Sequence, residues 1–324
     1  MAKAAFIVIS WNNSDILEEC FDSIRAQTYA NHRTILVDND SKDNSVEVAR
    51  RCMPEATIIE NDNNDGFAKG NNIGIAEALR DPEVDYIVLL NSDARLAPDW
   101  LEKVIDFAAT KPHAAVLQGT TLDYYDHGVV DSTHIYISRN GQATQGSWRD
   151  TYAAEFGPKK IFGANAAACL ITRNFIEAQP FGAELLDETL FIYLEDVDLA
   201  ARATVMGWDN YTVPGARAYH MGSASSGKRP GFSLYMTFRN NSAMLYKNLP
   251  AGLLVRLIPR IVRSDIDTIR HLRALGKPEA ARKVIKGRLI GLLRVPLFIG
   301  KRRVMNRNRR VSASYIWHLM RQGY

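Results

Sequence analysis

Four short apolar runs rich in β-branched residues punctuate the start of the chain: AAFIVI (4–9), TILVD (34–38), ATIIE (56–60) and YIVLL (86–90). Helical spacing separates them. Ile16, Leu17, Cys20, Phe21 and Ile24 recur along ILEECFDSIRAQ, SVEVARRCM follows the second run, and IGIAEALR follows the third after a loop, NDNNDGFAKGNN (61–72). Strand and helix in alternation predict an α/β fold, a mainly parallel sheet with helices on both faces. In such a sheet the ligand crevice lies at the carboxyl ends of the strands. Polar clusters stand at those ends: Ser10-Trp11-Asn12, Asp38-Asn39, Asn61 to Asn72, and Asn91-Ser92-Asp93. Neither GxGxxG nor GxxxxGK[ST] follows the first strand, which disfavours dehydrogenase and P-loop chemistry.

The 324 residues leave room for a large α/β domain and an appendage. Three scattered cysteines (Cys20, Cys52, Cys169) fit buried, reduced thiols of a cytoplasmic protein. No apolar run approaches the roughly 18 residues of a spanning helix, and no secretory signal is expected. The net charge of +4 hides a division. Residues 251–324 carry 18 Lys+Arg and 3 Asp+Glu, a net of +15, so the preceding 250 residues carry −11.

VISWN, LVDNDSKDNS, NDGFAKGNN, VLLNSDARLAPDWL and FIYLEDVDLAARATVMGW occur in that order. The sequence resembles glycosyltransferase family 2, nucleotide-sugar enzymes with the GT-A fold, over roughly residues 4–220, and most of all its rhamnosyltransferase-like branch in bacterial polysaccharide assembly. The resemblance implies inverting transfer of a sugar from a UDP- or dTDP-sugar, dTDP-rhamnose foremost, to a hydroxyl of a surface glycan or polyprenyl-diphosphate-linked acceptor. It assigns Ser10, Trp11, Asn12, Asp38, Asn39, Gly66, Asn71, Asn91 and Ser92 to the nucleotide. Asp38 could accept the N3–H of uracil or thymine, or cap the next helix.

NSD stands where the family has Asp-x-Asp, so Asp93 is the expected ligand of a divalent cation, Mn²⁺ or Mg²⁺, with Asn91 replacing the first carboxylate. His220 either completes that metal shell or is structural. In EDVDL, Asp196 is the expected base, and Glu195 orients the acceptor. Phe162, Gly163 and Ala164 are acceptor-side candidates, as is Arg202, which also stands i,i+4 to Asp198. Trp148 and Tyr152 could stack on a sugar. Residues 223–250 read as a lid and connecting helix, with Lys228 and Arg229 as possible diphosphate contacts. Rival readings are a sugar nucleotidyltransferase and a GT-A-fold binding subunit without catalysis.

After residue 250, Leu, Ile and Val recur every three or four positions with Arg or Lys between them. Basic amphipathic helices of this kind lie in anionic membrane surfaces. The tail is therefore expected at the inner face of the cytoplasmic membrane, or packed on the body or on a second subunit. Nucleic acid is not expected, since KRRVMNRNRR lacks interleaved aromatics.

Overall fold

A computed structural model describes residues 1–152, 157–222 and 231–320. The expected alternation begins the chain, with β1 (Lys3–Ser10), α1 (Leu17–Arg25), β2 (His32–Asp38), α2 (Ser45–Cys52), β3 (Thr57–Glu60), α3 (Gly66–Leu79) and β4 (Val84–Asn91). Along β1, Ala4, Phe6 and Val8 pack into the core on the α1 and α2 side. Ala5 and Ile7 enter the opposite core, under α3. This period-2 division, with both faces buried, is why the runs are continuously apolar.

Helix α3 starts earlier than the sequence suggests, since GFAKGNN is helical rather than loop. Close packing is the reason. A Cβ on Gly74 would lie 2.5 Å from Ile7 Cγ2, so the glycines that resemble a loop let the helix press onto the sheet.

The chain continues through β5 (Ala94–Leu96), α4 (Trp100–Ala109), β6 (Ala114–Asp123), β7 (Val130–Ser132), β8 (His134–Ile137), β9 (Ala143–Gly146), β10 (Lys159–Ile161), β11 (Ala168–Thr172), α5 (Arg173–Ala178), α6 (Glu195–Val205) and β12 (Asp209–His220). The large sheet runs β10-β12-β6-β11-β4-β1-β2-β3. Pairs β3–β2, β2–β1 and β1–β4 are parallel, while β11 is antiparallel to both β4 and β6. The first crossovers leave β1 to one side and β4 returns on the other, which opens a crevice at the ends of β1 and β4.

Helices α7 (Phe232–Asn248), α8 (Ala251–Ala274), α9 (Pro278–Arg294), α10 (Ile299–Asn308) and α11 (Ala313–Leu319) complete the chain. The basic tail is helical, yet it is no detached appendage. Leu253, Leu257, Met305, Ile316 and Met320 share one core with Ile135, Phe162, Val197 and Ala201. Breaks at 222/223 and 250/251 therefore do not fall between separate cores. Helix α9 lies directly on α7, where a Cβ on Gly287 or Gly291 would come within 2.4 Å of the Tyr235 or Arg239 carbonyl oxygen. Among the described residues no helix is long and apolar enough to cross a membrane. All three cysteines are buried and free.

Buried charges lock α7 and the tail to the body. Lys247 Nζ lies 2.7 Å from Asp198 Oδ2 and also meets Asp187, while Lys301 Nζ lies 2.8 Å from Asp187 Oδ1 and 2.6 Å from Glu184. Arg202 belongs to this cluster. Only 1% exposed, it donates to Asp198, Gln179 and the Leu185 carbonyl, so it braces the core instead of facing an acceptor.

Candidate active site

A cavity of about 840 Å³ opens at the carboxyl ends of β1 and β4. Trp11, Asn39, Gly66, Asn91, Ser92, Asp93, Glu195, Asp196 and His220 line it. Ser10, Asn12, Asp38 and Asn71 do not. Asp38 is 3% exposed, and its carboxylate accepts the Ser41 N–H at 2.8 Å and the Ser41 hydroxyl at 2.6 Å. It braces a turn behind the wall rather than presenting an edge to a base. Asn12 supports the same turn by accepting the Lys42 N–H, and the Asn71 amide bonds back to the Phe67 carbonyl within α3. Ser10 is wholly buried.

Phe162, Gly163 and Ala164 also lie behind the wall. Gly163 exchanges hydrogen bonds with Ile135, and a Cβ on it would lie 2.1 Å from Ala200 Cβ. The need for small residues is thus packing against α6. Asn165, Ala166 and Ala167 reach the cavity instead, together with Trp148. Lys228 and Arg229 lie outside the described residues.

The strand pairing assembles one end of the site. In the antiparallel β12–β5 register His220 faces Ala94, which sets its imidazole beside Asp93. His220 Nε2 is 3.3 Å from Asp93 Oδ1, and its Nδ1 is 3.1 Å from Asp131 Oδ2 on β7. Burial alone would lower the His220 pKa, but hydrogen bonds to Asp131 and Asp93 outweigh it and raise the value to about 10. The neighbouring Asn91 Oδ1 is buried and has no hydrogen-bond partner among the described residues. Sequence reasoning missed Asp131, an isolated acid in HGVVDS with no motif around it.

The other end rests on strained backbone. Phe191 has φ 68° and ψ −63°, and the Ile192 N–H donates to the Leu190 carbonyl at 2.8 Å, closing a γ-turn of the disfavoured hand. Tyr193 and Leu194 also have positive φ. Strain of about 1–3 kcal/mol per residue persists only where its surroundings over-determine it. Here the Asn240 amide, from α7, donates to the carbonyls of Leu190, Ile192 and Tyr193 at 2.8–2.9 Å. Gly66 accommodates the turn from below, since a Cβ there would lie 2.4 Å from the Phe191 ring. The strained turn delivers Glu195 and Asp196 to the first turn of α6, where the helix dipole favours negative charge.

The two acids differ in environment. Asp196 is half-buried and accepts the Val197 N–H at 2.7 Å and the Ala166 N–H at 3.4 Å, which favour its charged form, though burial still raises its pKa. Glu195 Oε2 is buried and has no partner among the described residues. Burial, then the Asp196 charge, push the Glu195 pKa up to about 8. Burial and the neighbouring acids thus favour a proton on Glu195 at neutral pH. A carboxyl with a raised folded pKa contributes stability fully below its unfolded value of 4.5 and loses that contribution as pH rises through about 8. Glu195→Gln should flatten this decline. Melting temperatures across that window test it, and an unchanged slope would mean that Glu195 is not held protonated.

The chain is similar to known proteins in sequence and in fold. The Mycobacterium tuberculosis (strain CDC 1551 / Oshkosh) N-acetylglucosaminyl-diphospho-decaprenol L-rhamnosyltransferase is 26% identical over 246 residues, 70% of this chain and 79% of that protein. Rhamnosyltransferase WbbL of Escherichia coli (strain K12) is 24% identical, covering 66% of this chain and 81% of its own length. The crystal structure of GalNAc-T7 with UDP, GalNAc and Mn²⁺ superposes on 76% of this chain and 48% of that chain with a TM-score of 0.58 at 14% identity, a likeness of fold alone. The sequence profile of Glycosyl transferase family 2 matches residues 5–171, more than half of the chain, and the protein belongs to that family, as a rhamnosyltransferase-like member with the GT-A fold.

Proposed function

We propose that this glycosyltransferase moves a sugar, rhamnose foremost, from a dTDP- or UDP-sugar to a hydroxyl of a lipid-diphosphate-linked glycan displayed at a membrane surface, with inversion. The carrying observation is one cavity lined by both the Asp93–His220 pair and the Glu195–Asp196 pair. The two rhamnosyltransferase relatives support the sugar, and the name of the mycobacterial one supports the acceptor class.

In this reading Asp196 takes the proton of the acceptor hydroxyl as that oxygen bonds to the anomeric carbon. The bond from that carbon to the diphosphate oxygen breaks on the opposite face, and the nucleoside diphosphate leaves with the electron pair. Protonated Glu195 beside Asp196 avoids a second negative charge there. In this reading Trp11, Asn39 and Gly66, which line the cavity together with Asn64 and Phe67, receive the nucleotide.

Asp93, Asn91 and, once its Nε2 proton is lost, His220 fit a divalent cation: one carboxylate, an unpartnered buried amide oxygen and one imidazole. Among the described residues no three His, Cys, Asp or Glu side chains close around a cation. A partial protein shell suits a cation that also takes oxygens from a substrate diphosphate. When bound, it neutralises charge on the departing diphosphate. Asp131 accepts from His220 Nδ1 and so aims Nε2 at the site, a positioning role.

Transfer from a panel of nucleotide sugars, with Mn²⁺ and with EDTA, tests the reading. Activity with one dTDP- or UDP-sugar is expected, lost in EDTA. Absence of transfer from every donor would overturn it. Asp131→Asn should weaken calorimetric Mn²⁺ binding in the presence of nucleoside diphosphate by about 10–100-fold. Wild-type affinity in that variant would leave Asp131 a merely structural partner.

A further inference from the structure

Helices α8 and α9 form an antiparallel hairpin, joined through Gly276 at φ 69° and by the Asp265–Arg288 ion pair at 2.7 Å. One face of the hairpin is spoken for: Leu253 and Leu257 of α8, and Val284, Gly287 and Gly291 of α9, are buried against the body and α7. The other face is apolar and open. On α8, Val255, Ile258, Val262 and Ile266 follow one another at three- and four-residue steps and are 41–68% exposed. On α9, Ile285, Leu289 and Leu292 do the same at 36–57%.

Helical geometry puts the two stripes on one side. At 100° per residue each stripe is centred about 70° from the residue that faces the other helix, Asp265 on α8 and Arg288 on α9, and lies to it in the same sense. In an antiparallel pair that places both on the outer face, flanking the seam. Arg263 and Arg270 continue the rotation on α8, Arg282 and Lys286 on α9, and all four are exposed. The result is an apolar strip with basic residues along both outer edges.

We infer that this face is a membrane-docking surface whose partner is the headgroup and upper acyl region of an anionic bilayer. The inference rests on the transferase reading only for its purpose, which is to bring the protein to a lipid-linked acceptor. Leucine, isoleucine and valine side chains gain by leaving water for acyl chains, and the basic edges gain from anionic headgroups. A second copy fits less well, because each tail carries a net +15 and pairing would bring basic edges together. The hairpin that carries the face also adjoins the site. Phe232 and Thr237 on α7 line the cavity, α9 packs along α7, and a Cβ on neighbouring Gly231 would lie 3.1 Å from Lys283 Cγ. A glycan on a lipid diphosphate would reach the cavity from the side on which the hairpin lies.

Flotation of the full chain with phosphatidylcholine vesicles, with and without phosphatidylglycerol, tests this. Binding should require phosphatidylglycerol and weaken with salt. Val262→Glu/Leu289→Glu and, separately, Arg282→Glu/Lys286→Glu should each lower it by about tenfold or more with unchanged melting temperature. Donor turnover with a soluble acceptor should also be unchanged. Equal flotation on neutral vesicles, or undiminished flotation of both variants, would overturn the inference. So would a dimer in light scattering that Val262→Glu/Leu289→Glu dissociates, which assigns the face to a second copy. Flotation without transfer from any nucleotide sugar would sink the transferase reading and leave the docking surface standing. Transfer to a soluble acceptor without flotation would do the reverse.

Discussion

Asp196→Asn is expected to lower turnover by about 10²–10⁴-fold while nucleoside diphosphate affinity and melting temperature stay near the wild type. The amide oxygen can keep the Val197 N–H bond, so the fold of α6 is preserved and only the proton acceptor is lost. Steady-state transfer and calorimetry on the same preparation separate the two effects. Near-wild-type turnover would remove Asp196 from the mechanism. In the unmodified enzyme the same group should set the acid limb of the pH profile. Burial raises its pKa above the ordinary 3.8, so activity falls as pH drops through that raised value.

Lys247→Met is expected to cost about 3 kcal/mol or more of stability, read as a lower denaturant midpoint. Lys247 is 2% exposed and stands between Asp187 and Asp198. Burial alone would raise the pKa of Asp187, but Lys247 and Lys301 outweigh it and hold that carboxyl well below its usual range. A depressed carboxylate contributes stability above its unfolded value of 3.8 and loses it as pH falls, so the wild type should unfold steeply in acid. In Lys247→Met that contribution shrinks, and adding Asp187→Asn should recover part of the loss. A variant as stable as the wild type would show that Arg202 and Lys301 suffice for both acids.

The first half of the sheet was legible because β1, β2 and β4 are buried on both faces and announce themselves as unbroken apolar runs. The start of α3 was not, because Gly66 and Gly70 look like loop residues until the sheet and the Phe191 turn press against them. Strands β7 to β10 span only three or four residues, too few for a period to show. At the site, Asp93, Glu195, Asp196 and His220 could be named from motifs, since each sits at a strand end or helix start. Asp131 and Asn240 could not, because each acts across the fold on a group 89 or about 50 residues away. Arg202 was misread for a related reason: an arginine behind an acidic motif reads the same in sequence whether it faces a ligand or a buried lysine–aspartate cluster.

Helix α7 has a consequence for engineering. Its Asn240 carries the turn ahead of Glu195 and Asp196, its Lys247 anchors the buried cluster, and its backbone at Tyr235 and Arg239 receives Gly287 and Gly291. The segment after residue 250 is therefore not a cassette. A chimaera that borrows it from a relative inherits a foreign counterface for α7, and so must exchange α7 and the 184–198 stretch with it, active-site turn included. The open apolar face of the α8–α9 hairpin and the turn ahead of Glu195 and Asp196 can then be recombined only as one block.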